Sequence, residues 1–222
     1  MSLYNNQKQE ELFHLKTPFP TPDQDCAVLQ HYFPNFLSCN KSKILAYSTG
    51  EFNCIGWAIG VKQFINPVKD INKYYKYKSD TGFSITAKYP NGATSSTNLK
   101  NYQKDSPECK KAVKLFFDHY SQKSVLPKKN DYIAVDKISS PPKDDTIAFY
   151  FKDEPDEVVG INVNIKGFQH ASRYVEDINI WVSDIWTSKL GEYKLMTHEE
   201  HELDGDIYGH ILCYLVPVNH EL

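Results

Sequence analysis

The spacing of apolar positions changes character about halfway along the chain. Up to residue 121 it supports helices and turns. Cys26 to Phe33 reads as a short helix stopped by Pro34, and the strip Ile44–Tyr47 runs into the turn cluster Ser48-Thr49-Gly50-Glu51. The run Cys54-Ile55-Gly56-Trp57-Ala58-Ile59-Gly60-Val61 is apolar nearly all round, which predicts a buried helix with Asn53 as its N-cap and Pro67 as the point that ends or redirects it. Residues 68–104 mix Lys, Tyr, Asn and Ser around Pro90-Asn91-Gly92 and predict only short strands or loops. Ser106-Pro107-Glu108 then starts a helix, with Ser106 as cap, Pro107 at the first helical position and a stripe of Ala112, Leu115, Phe116 and Tyr120.

Beyond that helix the period becomes strand-like. Tyr132–Ile138, Thr146–Lys152, Val158–Ile165, Gln169–Val175, Ile178–Thr187 and Ile207–Val216 are rich in Val, Ile, Tyr, Phe and Trp, and predict an antiparallel sheet of five or six strands. Thr197-His198-Glu199-Glu200 interrupts them with a capping-box pattern, read as a helix of one or two turns before Gly205. Residues 1–25, with Pro18, Pro20 and Pro22, read as an extended arm. The expectation is an α+β protein: an arm over 1–25, then one domain over 26–222 with its N-terminal helices packed on the sheet.

Composition changes this picture little. The 222 residues suffice for one core, and an aromatic content of 14% with fifteen Tyr and twelve Phe fits a β-rich packed protein. The polar start MSLYNNQKQEELFHLK lacks the apolar stretch of a signal peptide, and no window approaches a membrane span, so the chain is expected to be cytoplasmic, or exported without a classical signal peptide, with no membrane partner. The five cysteines (26, 39, 54, 109, 213) form no CxxC pair, and free thiols are the simpler reading. Charge is uneven: residues 60–130 carry fourteen Lys against five acids, and 144–222 five bases against sixteen acids. Because Arg173 is the sole arginine, nucleic-acid binding through the Lys-rich segment ranks below a solvated Lys-rich surface.

Two residues draw chemical attention. Cys54 would project its thiol from the first turn of a buried helix, where the dipole and free amides favour a thiolate; those amides, with the Asn53 side chain or a group from the Tyr47–Glu51 turn, would line an oxyanion hole. Equally often such a cysteine is a small buried residue. His170 opens a predicted strand, and a hairpin would return Trp186, Thr187, Ser188 and Lys189 beside it; Ser188 by register, or Asp184 by charge, would orient the imidazole. A strand-end histidine that is merely hydrogen-bonded is the competing reading. His198-Glu199-Glu200-His201 lacks HExxH spacing and reads as a solvated acidic helix, so neither a metal nor another cofactor is expected.

The elements Asn53-Cys54-Ile55-Gly56-Trp57-Ala58, Gln169-His170-Ala171, Trp186-Thr187-Ser188-Lys189-Leu190-Gly191 and His198…Leu203-Asp204-Gly205…Tyr208-Gly209 resemble an uncharacterised family of small bacterial proteins with an N-C-x-x-W-A, H-A, W-x-S-K-L-G and L-x-G-x-x-Y-G order. The order is also similar to papain-like and transglutaminase-like cysteine hydrolases, with Ser188 where an Asn or Asp stands in those families. That resemblance implies a papain-like fold and a thiol hydrolase or acyltransferase acting on an amide bond of a protein or peptide: a peptidase, an amidase or a glutamine deamidase. It also implies a toxin-like effector, with a specificity loop in the 60–104 region and Glu192 and His198 as second-layer polar groups or local caps. The alternatives are a non-catalytic binding or immunity-type module on the same fold, and a nucleic-acid binder.

Overall fold

A computed structural model describes residues 11–37, 39–47, 50–67, 107–124, 131–152, 157–159, 162–164, 167–179, 182–190 and 193–218. Strand β1 (Phe19–Pro20) precedes helix α1 (Asp23–Tyr32), which carries Asp23 and Asp25 in its first turn, where the helix dipole favours acids. It ends one residue before Phe33-Pro34. Strand β2 (Lys43–Ala46) follows, and then helix α2 (Cys54–Ile59), buried at every position and capped by Asn53. Gly60, in the left-handed region at φ 78°, stops this helix well ahead of Pro67. Helix α3 (Pro107–Ser121) buries Ala112, Val113, Phe116 and Phe117, a stripe displaced slightly from the predicted one, with Leu115 and Tyr120 only half-buried.

The remaining eight strands sharpen or correct the sequence reading. They are β3 (Asp131–Val135), β4 (Ile147–Phe151), β5 (Glu157–Val159), β6 (Asn162–Asn164), β7 (Phe168–Asn179), β8 (Val182–Lys189), β9 (Leu195–His198) and β10 (His210–Val218). The expected strand over 158–165 is instead the separate hairpin β5–β6. Strand β7 runs through Glu176-Asp177 without turning, so the hairpin to β8 lies further along than predicted. Thr197 and His198 belong to β9, not to a capped helix. Their side chains find partners there: Thr197 Oγ1 accepts the Lys43 amide of β2 at 2.7 Å. The cap falls to Glu202, whose carboxylate accepts the Glu199 amide at 2.7 Å.

The main sheet has eight strands rather than five or six, all pairs antiparallel, in the order β1-β2-β9-β8-β7-β4-β10-β3. Strand β4 is buried at all five positions because both faces are covered. Ile147, Phe149 and Phe151 pack with α2 and α3; Ala148 and Tyr150 face a second cluster containing Leu29, Phe33 and Phe36 from α1 and its end, together with Trp186, Tyr214 and Leu203. The expected arm over 1–25 is not free from residue 11 onward. Phe13 is fully buried, with its ring 4.8 Å from Phe52 and 5.0 Å from Trp57, Phe19 pairs with Ile44, and α1 already begins at Asp23. Nor do all the cysteines stay as thiols: Cys26 and Cys39 form a disulfide that ties α1 to the loop before β2, while Cys54 and Cys213 are buried and outside any disulfide. Among the described residues no helix is long and apolar enough to cross a membrane.

Candidate active site

Helix α2 is fastened at its N-terminus by one side chain. Asn53 Oδ1 accepts the Gly56 amide at 3.1 Å and the Ile65 amide at 3.3 Å, while Asn53 Nδ2 donates to the Ile65 carbonyl at 2.6 Å. This commits one hydrogen of the amide nitrogen to the loop after the helix. Asn53 is therefore a clamp for the start of α2. One turn on, Trp57 Nε1 donates to Thr187 Oγ1 at 3.0 Å, Thr187 Oγ1 donates to the Arg173 carbonyl at 2.9 Å, and the Arg173 guanidinium lies 4.2 Å over the Trp57 ring. These contacts lock α2 against β7 and β8 and explain why a tryptophan three residues after Cys54 matters.

The fastening aims Cys54 at the segment that carries His170. The β7–β8 register runs from Arg173↔Thr187 to Asn179↔Val182, and ahead of it the Cys54 thiol lies along β7, with Sγ 4.0 Å from the Gln169 carbonyl and facing the Ala171 amide. The Cys54 and Ile55 amides also point to the sulfur. Even so, burial outweighs these donors and the more distant Lys189 charge, and pushes the thiol up to about 11. The helix start alone predicted a lowered value. The difference arises because Cys54 is only 5% exposed, and desolvation penalises the thiolate more than a two-turn helix rewards it.

His170 is fully buried, and burial holds its imidazole well below the usual range, helped by the neighbouring His198. Tyr208 stacks on one face of the ring and Tyr150 meets it edge-on at 5.3 Å. Its Nε2 is 3.1 Å from Ser188 Oγ, whereas its Nδ1 is buried with no hydrogen-bond partner. Ser188 lies 2.6 Å from Ser172 Oγ and 2.9 Å from His198 Nε2, and His198 Nδ1 is 2.6 Å from the Glu199 carbonyl. Four polar side chains from three adjacent strands thus form a connected group inside an otherwise apolar layer.

Of the predicted site residues, the structure brings together His170 and Ser188, and sets Cys54 against the residues on either side of His170. Asp184 precedes Ser188 by four positions on β8, about 13 Å along the strand at roughly 3.3 Å per residue. Sequence reasoning missed Ser172, and it named His198 only as a second-layer group or local cap on what it read as a solvated helix. The available signal was the alternation Leu195-Met196-Thr197-His198, which is strand-like. Lys189, also fully buried, donates to the Tyr193 carbonyl at 2.7 Å and lies 5.8 Å from the Phe52 ring centroid. Among the described residues no cluster of three or more His, Cys, Asp and Glu side chains is gathered as a metal site. Most of the expected specificity loop over 60–104, from residue 68 on, and much of the Lys-rich segment lie outside the described residues, as does Glu192.

No curated protein and no solved structure matches the chain. One family model does, over residues 43–216, from the start of β2 into β10; it spans every residue of the site. The chain belongs to this family, described as "Domain of unknown function (DUF7689)".

Proposed function

We propose that the chain is a thiol hydrolase or acyltransferase of papain-like design, acting on an amide bond in a protein or peptide. The observation that supports this reading is a thiol at a clamped helix start packed along the strand that carries His170, whose imidazole is held at Nε2 by Ser188 and has no hydrogen-bond partner at Nδ1. A base with one nitrogen anchored and the other open is what nucleophile activation requires.

With the thiol raised to about 11 and the imidazole lowered, the resting pair is uncharged. The proton therefore moves during attack. As the Cys54 sulfur bonds to the carbonyl carbon, its proton passes to His170 Nδ1, and the carbonyl oxygen gains the displaced electron pair. His170 then returns that proton to the leaving amine as the carbon–nitrogen bond breaks. Water, or a second amine in a transferase, attacks the thioester, gives its proton to His170, and the thiolate leaves and regains it.

A second reading has one observation in its favour. Cys54 and His170 are 5% and 0% exposed, as expected for packing residues in a non-catalytic binding or immunity-type module. Mass spectrometry of the native protein after treatment with a small activated ester separates the two. The hydrolase reading requires an acyl adduct on Cys54 that forms at least about 100-fold more slowly in His170→Ala. An adduct that appears only after denaturation refutes it.

A further inference from the structure

The distances around Ser188 determine where the protons sit. The Glu199 carbonyl can only accept, so His198 carries its proton on Nδ1, and burial, which pushes His198 down to about 4, keeps the ring neutral. Its Nε2 is then an acceptor, and the partner 2.9 Å away is the Ser188 hydroxyl, which must donate. Ser188 has one hydrogen, now committed, so it accepts from both remaining neighbours: from Ser172 at 2.6 Å and from His170 Nε2 at 3.1 Å. It follows that His170 carries its proton on Nε2 and presents a lone pair at Nδ1.

From this chain of bonds we infer that His198 is the positioning residue of the site, fixing through Ser188 the tautomer of His170 that leaves Nδ1 free to act as a base. The inference rests on the proposed thiol chemistry for its purpose but not for its geometry. In a triad the orienting group usually accepts directly from the base. Ser188 alone is a poor substitute, because a hydroxyl donates as readily as it accepts and would hold either tautomer. His198 removes that ambiguity by occupying the only hydrogen Ser188 has. The Glu199 carbonyl is fixed in turn, since its own amide is held by Glu202, whose other oxygen accepts the Leu37 amide at 2.8 Å.

Long-range nitrogen–proton NMR of the imidazoles tests this directly. In the wild-type protein His170 should show Nε2–H with a bare Nδ1, and His198 the reverse. His198→Phe, which takes the acceptor away from Ser188, should move His170 toward a tautomer mixture. His198→Gln, whose carbonyl oxygen can accept from Ser188, should restore it. A wild-type His170 protonated at Nδ1 overturns the proposal without any variant, and so does an unchanged tautomer in a folded His198→Phe protein. Because the readout is the imidazole, a Cys54 that never acylates sinks the hydrolase reading alone.

Discussion

Tyr208 lies flat on His170, with ring centroids 3.9 Å apart and planes within 6°. The tyrosine is carried by a five-residue loop closed by Gly205 and Gly209, each of whose amides donates to the other's carbonyl at 2.7 Å. Phe33, at the end of α1, meets the same ring at 5.2 Å. Tyr208 is itself partly exposed, so it stands between solvent and an imidazole that has no exposure of its own. Removing it in Tyr208→Ala should hydrate His170 and move its titration up toward about 6.5, the ordinary value. Tyr208→Phe keeps the stacked face and should leave the titration where it is. Imidazole NMR across pH 4 to 8 reads the difference; equal titrations in the two variants would show that the stack does not set the environment of His170.

The same loop explains a glycine. Gly209 has φ +79°, and a Cβ there would come within 2.0 Å of the Phe151 carbonyl oxygen, a backbone atom that cannot swing aside. Gly209→Ala should lose about 2–4 kcal/mol. At Gly50 an added Cβ meets nothing within 4 Å, and Gly50→Ala should change stability by no more than about 0.5 kcal/mol. Urea denaturation of both variants checks the contrast.

Much of this arrangement could be read from the chain, and what could not has identifiable causes. The buried helix at Cys54, its Asn53 cap and the return of Ser188 to His170 all follow from local pattern, because a short apolar run and a hairpin are decided within a few residues. The role of Asn53 did not, since its second partner, Ile65, lies across a loop whose path the sequence does not declare. His198 was obscured by its neighbours. Thr197 with Glu200 satisfies the capping-box pattern, yet in the fold the Lys43 amide takes the threonine hydroxyl, and pairing with β2 and β8 overrides the local preference. The depressed imidazoles and the raised thiol were equally out of reach: local pattern implies a helix dipole, but not how many layers cover it.

Asn53 gives a prediction that separates a clamp from a catalytic group. Asn53→Ala removes the cap of α2 and leaves the Ile65 amide and carbonyl without their partner, which should cost about 2–3 kcal/mol. A side chain whose only role was to steady an oxyanion would cost activity with stability unchanged. Thermal unfolding with no ligand present is therefore sufficient. Asn53→Asp retains the acceptor for Gly56 but turns a carboxylate oxygen toward the Ile65 carbonyl, and it should be destabilised as well.

The buried histidines should make stability pH-dependent in a definite direction. For His198 the folded value, about 4, lies below the unfolded one, about 6.5, so between them the unfolded chain binds more protons. The contribution is complete above about pH 6.5 and is lost as pH falls through about 4. At roughly 1.4 kcal/mol per unit this amounts to about 3 kcal/mol. His170, lowered for the same reason, adds to the slope over the same window and below it. Asp204 works against them: burial raises its carboxyl, so its protonation on acidification favours the fold. Wild-type stability alone therefore mixes opposing titrations. Comparison with His198→Gln removes one of them, and urea unfolding at pH 7.0, 5.5 and 4.5 should show the variant losing less stability than the wild type at each step down. Parallel loss in the two proteins would mean that His198 titrates normally, and hence that it is not the buried, neutral acceptor on which the Ser188 hydroxyl depends.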